Sequence, residues 1–164
     1  MSRLSQKFWT GEEVPVPPTD CITQIGALCL RQTKRHTEVL LVKSSRGRWI
    51  IPKGWPMDGL TDAQAAKVEA WEEAGVDKGK VSKAPIGGYA TRKLFDDGRK
   101  IPCHVTVYRI DVKHMVKRYP EAGLRQRKWF KLKKAVKKVD DAGLRRLLKS
   151  LVPAKAAKDQ TPKQ

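Results

Sequence analysis

The chain has 164 residues, 40% of them hydrophobic and 32% charged, with 35 Lys and Arg against 17 Asp and Glu and a formal net charge of +18. That length fits one domain able to bury its own core, and recurring apolar segments exclude a wholly disordered chain. No run of about 18 apolar residues exists, which excludes a helical membrane span, and the basic surplus points to a polyanionic partner or substrate.

Residues 1–20 read as an extended N-terminal arm, in which Phe8 and Trp9 precede the helix-excluding prolines Pro15, Pro17 and Pro18. The folded domain is expected over residues 21–151. Ile22 to Leu30 has strand character, and Glu38 to Lys43 is a second apolar run of strand length, beyond a polar turn. A basic loop, Ser44 to Arg48, leads to a short strand at Trp49 to Ile51. Gly54 to Gly59 reads as a loop by its glycines and proline.

A helix follows. Thr61 with Gln64 makes a capping box, alanines at 63, 65, 66 and 70 favour helix, and Gly75 stands where a helix ends. Gly87 to Leu94 and His104 to Val112 read as strands joined through the turn signal Asp96-Asp97-Gly98. Trp129-Phe130 reads as a last short strand. Leu132, Ala135, Val136 and Val139, then Leu144, Leu147, Leu148 and Leu151, follow helical spacing, as two short helices or one kinked helix. Residues 152–164 read as a flexible Lys-rich tail. Strands interleaved with helices indicate one α/β (α+β) domain.

Cys21, Cys29 and Cys103 are too few and too widely spaced for a disulfide framework or a zinc knuckle. With no apolar leader visible at the N-terminus, a reducing cytoplasm is the expected location. Trp49, Trp71 and Trp129 fall in regular elements and are expected in the core.

Acids concentrate in one place, at Glu69, Glu72 and Glu73. On a helix Glu69 lies over both of the others, and such like-charge pairs destabilise a helix by roughly 0.2–0.5 kcal/mol each. Either the three form a solvated face balanced by lysines such as Lys67, or a cation sits among them. Hard cations such as Mg²⁺ take oxygen ligands and pair with phosphate substrates.

Gly54 to Val76 resembles the Nudix box: glycine, five residues, glutamate, seven residues, arginine-glutamate, aliphatic, any residue, two glutamates, any residue, glycine, aliphatic. Gly54, Glu69, Glu72, Glu73, Gly75 and Val76 are in register. Leu60 and Val68 stand where the family has a glutamate and an arginine. Replacing both members of an ion pair by apolar residues can be neutral, so the double change reads as a compensated swap. It leaves the orientation of Glu69 to another cation, with Lys53 as the candidate. The stretches EVLLVKSSR from Glu38, RWIIP from Arg48 and RKWFKLKKA from Arg127 further resemble the diphosphoinositol polyphosphate phosphohydrolase branch, although Lys53 and Trp55 depart from its glycine triplet.

The resemblance implies a Nudix-type α/β/α sandwich with a central mixed sheet. It implies Mg²⁺ or Mn²⁺ held by Glu69, Glu72, Glu73 and the Gly54 carbonyl, and hydrolysis of a diphosphate linkage with one of these glutamates, or a distant one, as general base. Glu121 is the only glutamate downstream, and its own reading is a surface loop residue. The matching phosphate-binding residues are Ser44, Ser45 and Arg46, to which neighbouring charge adds Arg31, Arg48 and Lys53. Lys113 to Lys149 carries 14 Lys and Arg against three acids. Lys133, Lys134, Lys137 and Lys138 within it read as a solvated helix face. The expected partner is a phosphorylated small molecule, with nucleic acid less favoured and no membrane. A non-catalytic module that binds polyphosphate or RNA is the alternative.

Overall fold

The computed structural model describes residues 21–153, so the readings of the arm and of the tail from residue 154 lie outside the described residues. Strand β1 (Ile22–Gln32) is buried along most of its length. Both of its faces are covered, which is why it reads as nearly continuous apolar sequence rather than alternation. It runs parallel to β7 (Lys100–Met115) and antiparallel to β2 (Thr37–Lys43) and the two-residue β4 (Lys53–Gly54). β3 (Trp49–Ile50) and β8 (Arg127–Lys131) join β2, while β5 (Val76–Val81) and β6 (Gly87–Leu94) join β7, giving one mixed sheet.

The period-two pleat sends side chains of β1 to opposite faces. Leu28 and Leu30 join Val39, Leu41, Val105 and Val107 in one core, covered by helices α2 (Leu132–Lys138) and α3 (Ala142–Leu151). Ile25, Ala27 and Cys29 join Leu40, Val42 and Ile110 in the other, covered by helix α1 (Asp62–Ala74). Helices thus flank a central mixed sheet, as the Nudix resemblance implies. No helix among the described residues is long and apolar enough to cross a membrane.

Helix α1 begins and ends where its residues dictate. The Thr61 hydroxyl accepts from Gln64 N at 3.1 Å, and Thr61 N donates to the Gln64 side chain at 2.9 Å. At the other end Gly75 adopts φ 73°, a conformation that costs glycine nothing, and Arg127 Nη1 donates to the Ala74 carbonyl at 2.7 Å. Ala65, Ala66, Ala70 and Ala74 are fully buried against the sheet, and these short side chains let the helix approach closely. Thr61→Ala removes a capping acceptor and is expected to cost about 1 kcal/mol, or roughly 2–4 °C in Tm by thermal melt.

Three differences from the sequence reading have local causes. Gly54 ends a strand with Lys53 rather than opening a loop, because Gly54 pairs with Ile25 and Lys53 with Gly26. Val76–Val81, which has no clean alternation, is held as a strand by β7 through an irregular register. Trp71 is 36% exposed rather than in the core, since the alanines occupy the sheet-facing side of α1.

Candidate active site

The close approach of α1 to β4 brings carboxylates against backbone. Glu69 and Glu73, one helical turn apart, are both buried, at 6% and 8% exposure. Lys53 N donates to Glu73 Oε1 at 3.3 Å. Gly54 lies so near that an added Cβ would stand 2.1 Å from Glu69 Oε2. The glycine is required there by space, not by backbone angle.

Arg125 and Glu121 complete the cluster from the turn before β8. Arg125 Nη1 lies 3.6 Å from Glu73 Oε1, and Arg125 Nε lies 3.3 Å from Glu121 Oε1. Glu121 is anchored through its backbone, whose N donates to the Glu72 carbonyl at 2.9 Å. It is therefore not the surface loop residue that its sequence context suggests. Its Oε1 and Arg125 Nε are buried yet make no hydrogen bond. The cation beside the carboxylates is Arg125, while Lys53 Nζ instead donates to Gln24 Oε1 at 3.1 Å.

Burial pushes Glu69 up to about 7, against its hydrogen bond with Glu73 and with the charge of Glu72. Burial, then the charge of Glu69, pushes Glu73 up to about 8, while Arg125 opposes. The pair holds its proton jointly. A carboxylate whose pKa is raised by folding stabilises the fold below its unfolded value and loses that contribution as pH rises through its folded value. The metal-free protein is expected to lose Tm as pH rises from 4.5 to about 8. Glu73→Gln should flatten that fall, and identical pH–Tm profiles would contradict the assignment.

The residues fit a divalent cation by the chemistry of their donors. Two crowded buried carboxylates, with the Glu121 carboxylate close by on Arg125, suit a hard ion, and Mg²⁺ is commonly held by one or two carboxylates plus phosphate oxygens. Among the described residues no three His, Cys, Asp or Glu side chains are grouped closely enough to enclose a metal by themselves. Glu72 is half-buried beside the pair.

Glu73 and Arg125 border a pocket of about 270 Å³. Ser44, Ser45, Arg46 and Arg48 line it from the β2–β3 loop, and Lys53 lines it from β4. The Ser44 hydroxyl accepts from Arg46 N at 3.3 Å and Arg48 N at 3.2 Å, so it shapes the loop that carries both arginines. Burial holds the Lys53 ammonium below its ordinary value, against the charge of Glu73 among others. Arg31 does not reach this pocket: it donates to Glu38 at 2.7 Å and stacks 4.2 Å over Trp129.

Arg92 and Lys93 on β6, part of a basic cluster that the sequence also shows, line the pocket too, as does Gln24 on β1, which escaped the sequence reading. A glutamine inside an apolar strand was the available signal for Gln24. Leu60 and Val68 line a separate hollow with Trp71 on the outer side of α1, so the two apolar departures from the box do occur together.

Residues 22–151 match the NUDIX domain family. The human diphosphoinositol polyphosphate phosphohydrolase 3-alpha is 35% identical over 116 residues, covering 68% of this chain and 65% of its own length. The mitochondrial Nudix hydrolase 12 of Arabidopsis thaliana is 34% identical over 103 residues, covering 60% of this chain and 50% of its own. This chain thus spans less than two-thirds of either relative. Among solved structures, a C. elegans Ap4A hydrolase binary complex superposes with a TM-score of 0.58 at 24% identity, over 77% of this chain and 92% of that one. The NUDIX domain of Shewanella oneidensis NrtR, complexed with ADP ribose, superposes with a TM-score of 0.60 at 14% identity, over 95% and 97%. These two likenesses show the fold.

Proposed function

The chain belongs to the NUDIX domain family, and from that premise we propose that it is a divalent-cation-dependent hydrolase of phosphoanhydride linkages in highly anionic substrates. A diphosphoinositol polyphosphate or a dinucleoside polyphosphate is the substrate class. The observation that carries the reading is the buried Glu69–Glu73 pair opening, through Glu73 and Arg125, onto a pocket lined by Arg46, Arg48, Lys53, Arg92 and Lys93. Names of relatives support the substrate class: one is a diphosphoinositol polyphosphate phosphohydrolase, and a structural neighbour is an Ap4A hydrolase.

Arg46 and Arg48 present guanidinium forks suited to phosphate oxygens, and Lys53 adds a compact charge near the carboxylates. Glu73, at the pocket edge, is placed to take the proton of an attacking water. Arg125 stands beside it and limits the repulsion of Glu121. A bound Mg²⁺ or Mn²⁺ supplies charge neutralisation at the phosphate and acidifies water. Glu69 and Glu73 are the residues to hold it, with the Gly54 carbonyl and Glu72 as further oxygens carried over from the family. Cys21, Cys29 and Cys103 are not disulfide-bonded, in keeping with a reducing, cytoplasmic setting.

The test is product release from a panel of a dinucleoside polyphosphate, a diphosphoinositol polyphosphate, a nucleoside triphosphate, ADP-ribose and triphosphorylated RNA, with Mg²⁺, with Mn²⁺ and with chelator. Cleavage that needs the metal is expected, fastest on one of the first two. Metal-independent binding of a panel member without any product would instead favour the non-catalytic module.

A further inference from the structure

A second basic surface lies apart from the catalytic pocket. Between α2 and α3 the chain forms a groove of about 550 Å³. Lys131, Lys133, Lys134 and Lys137 line it from the β8–α2 side, Lys149 lines it from α3, and Val136 and Val152 contribute its apolar surface. Among the described residues no carboxylate lines it, and none of its lining residues also lines the catalytic pocket. The catalytic pocket touches α3 at Leu144, in its first turn, whereas the groove touches its end at Lys149.

The sequence reads these lysines as a solvated helix face, and the structure sets several of them around one groove. Elsewhere in this chain exposed arginines meet acids, as Arg31 meets Glu38 and Arg99 meets Asp97. Among the described residues Lys131, Lys134, Lys137 and Lys149 enter no ion pair. Attraction to the helix dipole explains cations at the end of α2, where Lys137 and Lys138 stand, but not those at its start. Lys131, Lys133 and Lys134 stand at that start, with no acid in the first turn. Lysines three and four apart line one side of a helix, so Lys134 and Lys137 form a row that faces Lys149 across the groove.

We propose that the α2–α3 groove binds the phosphodiester backbone of nucleic acid, without base readout, as a surface separate from the hydrolytic site. Cations on both walls suit a strand whose phosphates recur along its length, against a row of about 9 Å from Lys131 to Lys137.

The test is fluorescence anisotropy of a labelled single-stranded RNA over a salt series. It compares the full chain with Lys134→Glu/Lys137→Glu/Lys149→Glu and with the milder glutamine triple variant. The wild type should bind with log affinity falling linearly in log salt. The glutamine variant should lose affinity by at least about tenfold, with a slope shallower by about 2, as expected when three phosphate contacts on a single strand are removed. It should retain wild-type hydrolysis of the best small substrate, which also establishes that it is folded. Unchanged RNA affinity in the glutamine variant overturns the proposal. So does RNA displaced by the small substrate, which would place the strand in the catalytic pocket. Groove-dependent binding to phosphatidylserine vesicles with none to RNA overturns it too.

Discussion

Glu73→Gln is expected to lower turnover on the best substrate by roughly 10²–10⁴-fold, the range for loss of a general base or of a preorganised charge. Of the two buried carboxylates it is Glu73 that borders the pocket, and it receives Lys53 N and faces Arg125. Glutamine keeps the shape and one acceptor oxygen but removes the charge that would hold a cation and the basicity that would take a proton. Stability should not fall with activity, because burial already disfavours the charged carboxylate. Above about pH 8 the variant should melt at or above the wild-type temperature. Product release under saturating Mg²⁺, alongside thermal melts, separates the two effects. Undiminished turnover in a folded variant would remove Glu73 from the chemistry.

Gly54→Ala should be nearly as damaging by a different route. The new Cβ would stand 2.1 Å from Glu69 Oε2 and 2.4 Å from Cδ. A carboxylate is the far end of a flexible side chain, so it can swing away rather than unfold the strand. The expected phenotype is a folded protein, with Tm within a few degrees of the wild type and turnover reduced roughly 10²-fold, as a misplacement of about 1 Å can produce. Since Glu69 and Glu73 act as one unit, Gly54→Ala combined with Glu73→Gln should fall well short of the product of their separate effects. Steady-state rates for the two single variants and the double variant check this. Fully multiplicative effects would mean that Gly54 does not act through the carboxylates.

Local features of this site were open to reading because each depends on a few adjacent residues. The capping box at Thr61 and Gln64 and the left-handed Gly75 bound α1 as the residue types require. The spacing of Glu69 and Glu73 puts both carboxylates on one side of any helix. The box register places Gly54 and the glutamates on segments that the structure brings into contact. The two-residue strand β4 was not open to reading in the same way, since only its pairing with β1 makes Lys53 and Gly54 a strand.

Composition and helical period could not assign a direction to Trp71 or a partner to Glu121. Trp71 lies outward because four alanines claim the sheet-facing side of α1. Arg125 follows α1 by some fifty positions in the chain and still supplies the cation at its glutamates, replacing the expected Lys53. Arg31, basic and near the right segment, is turned to Glu38 and Trp129 instead. The sequence by itself thus determined the family, the helix limits and the acids, all of which follow from short-range sterics and spacing. The tertiary structure alone decided which cations meet those acids, because charge acts through distance in space, and the sheet register sets that distance.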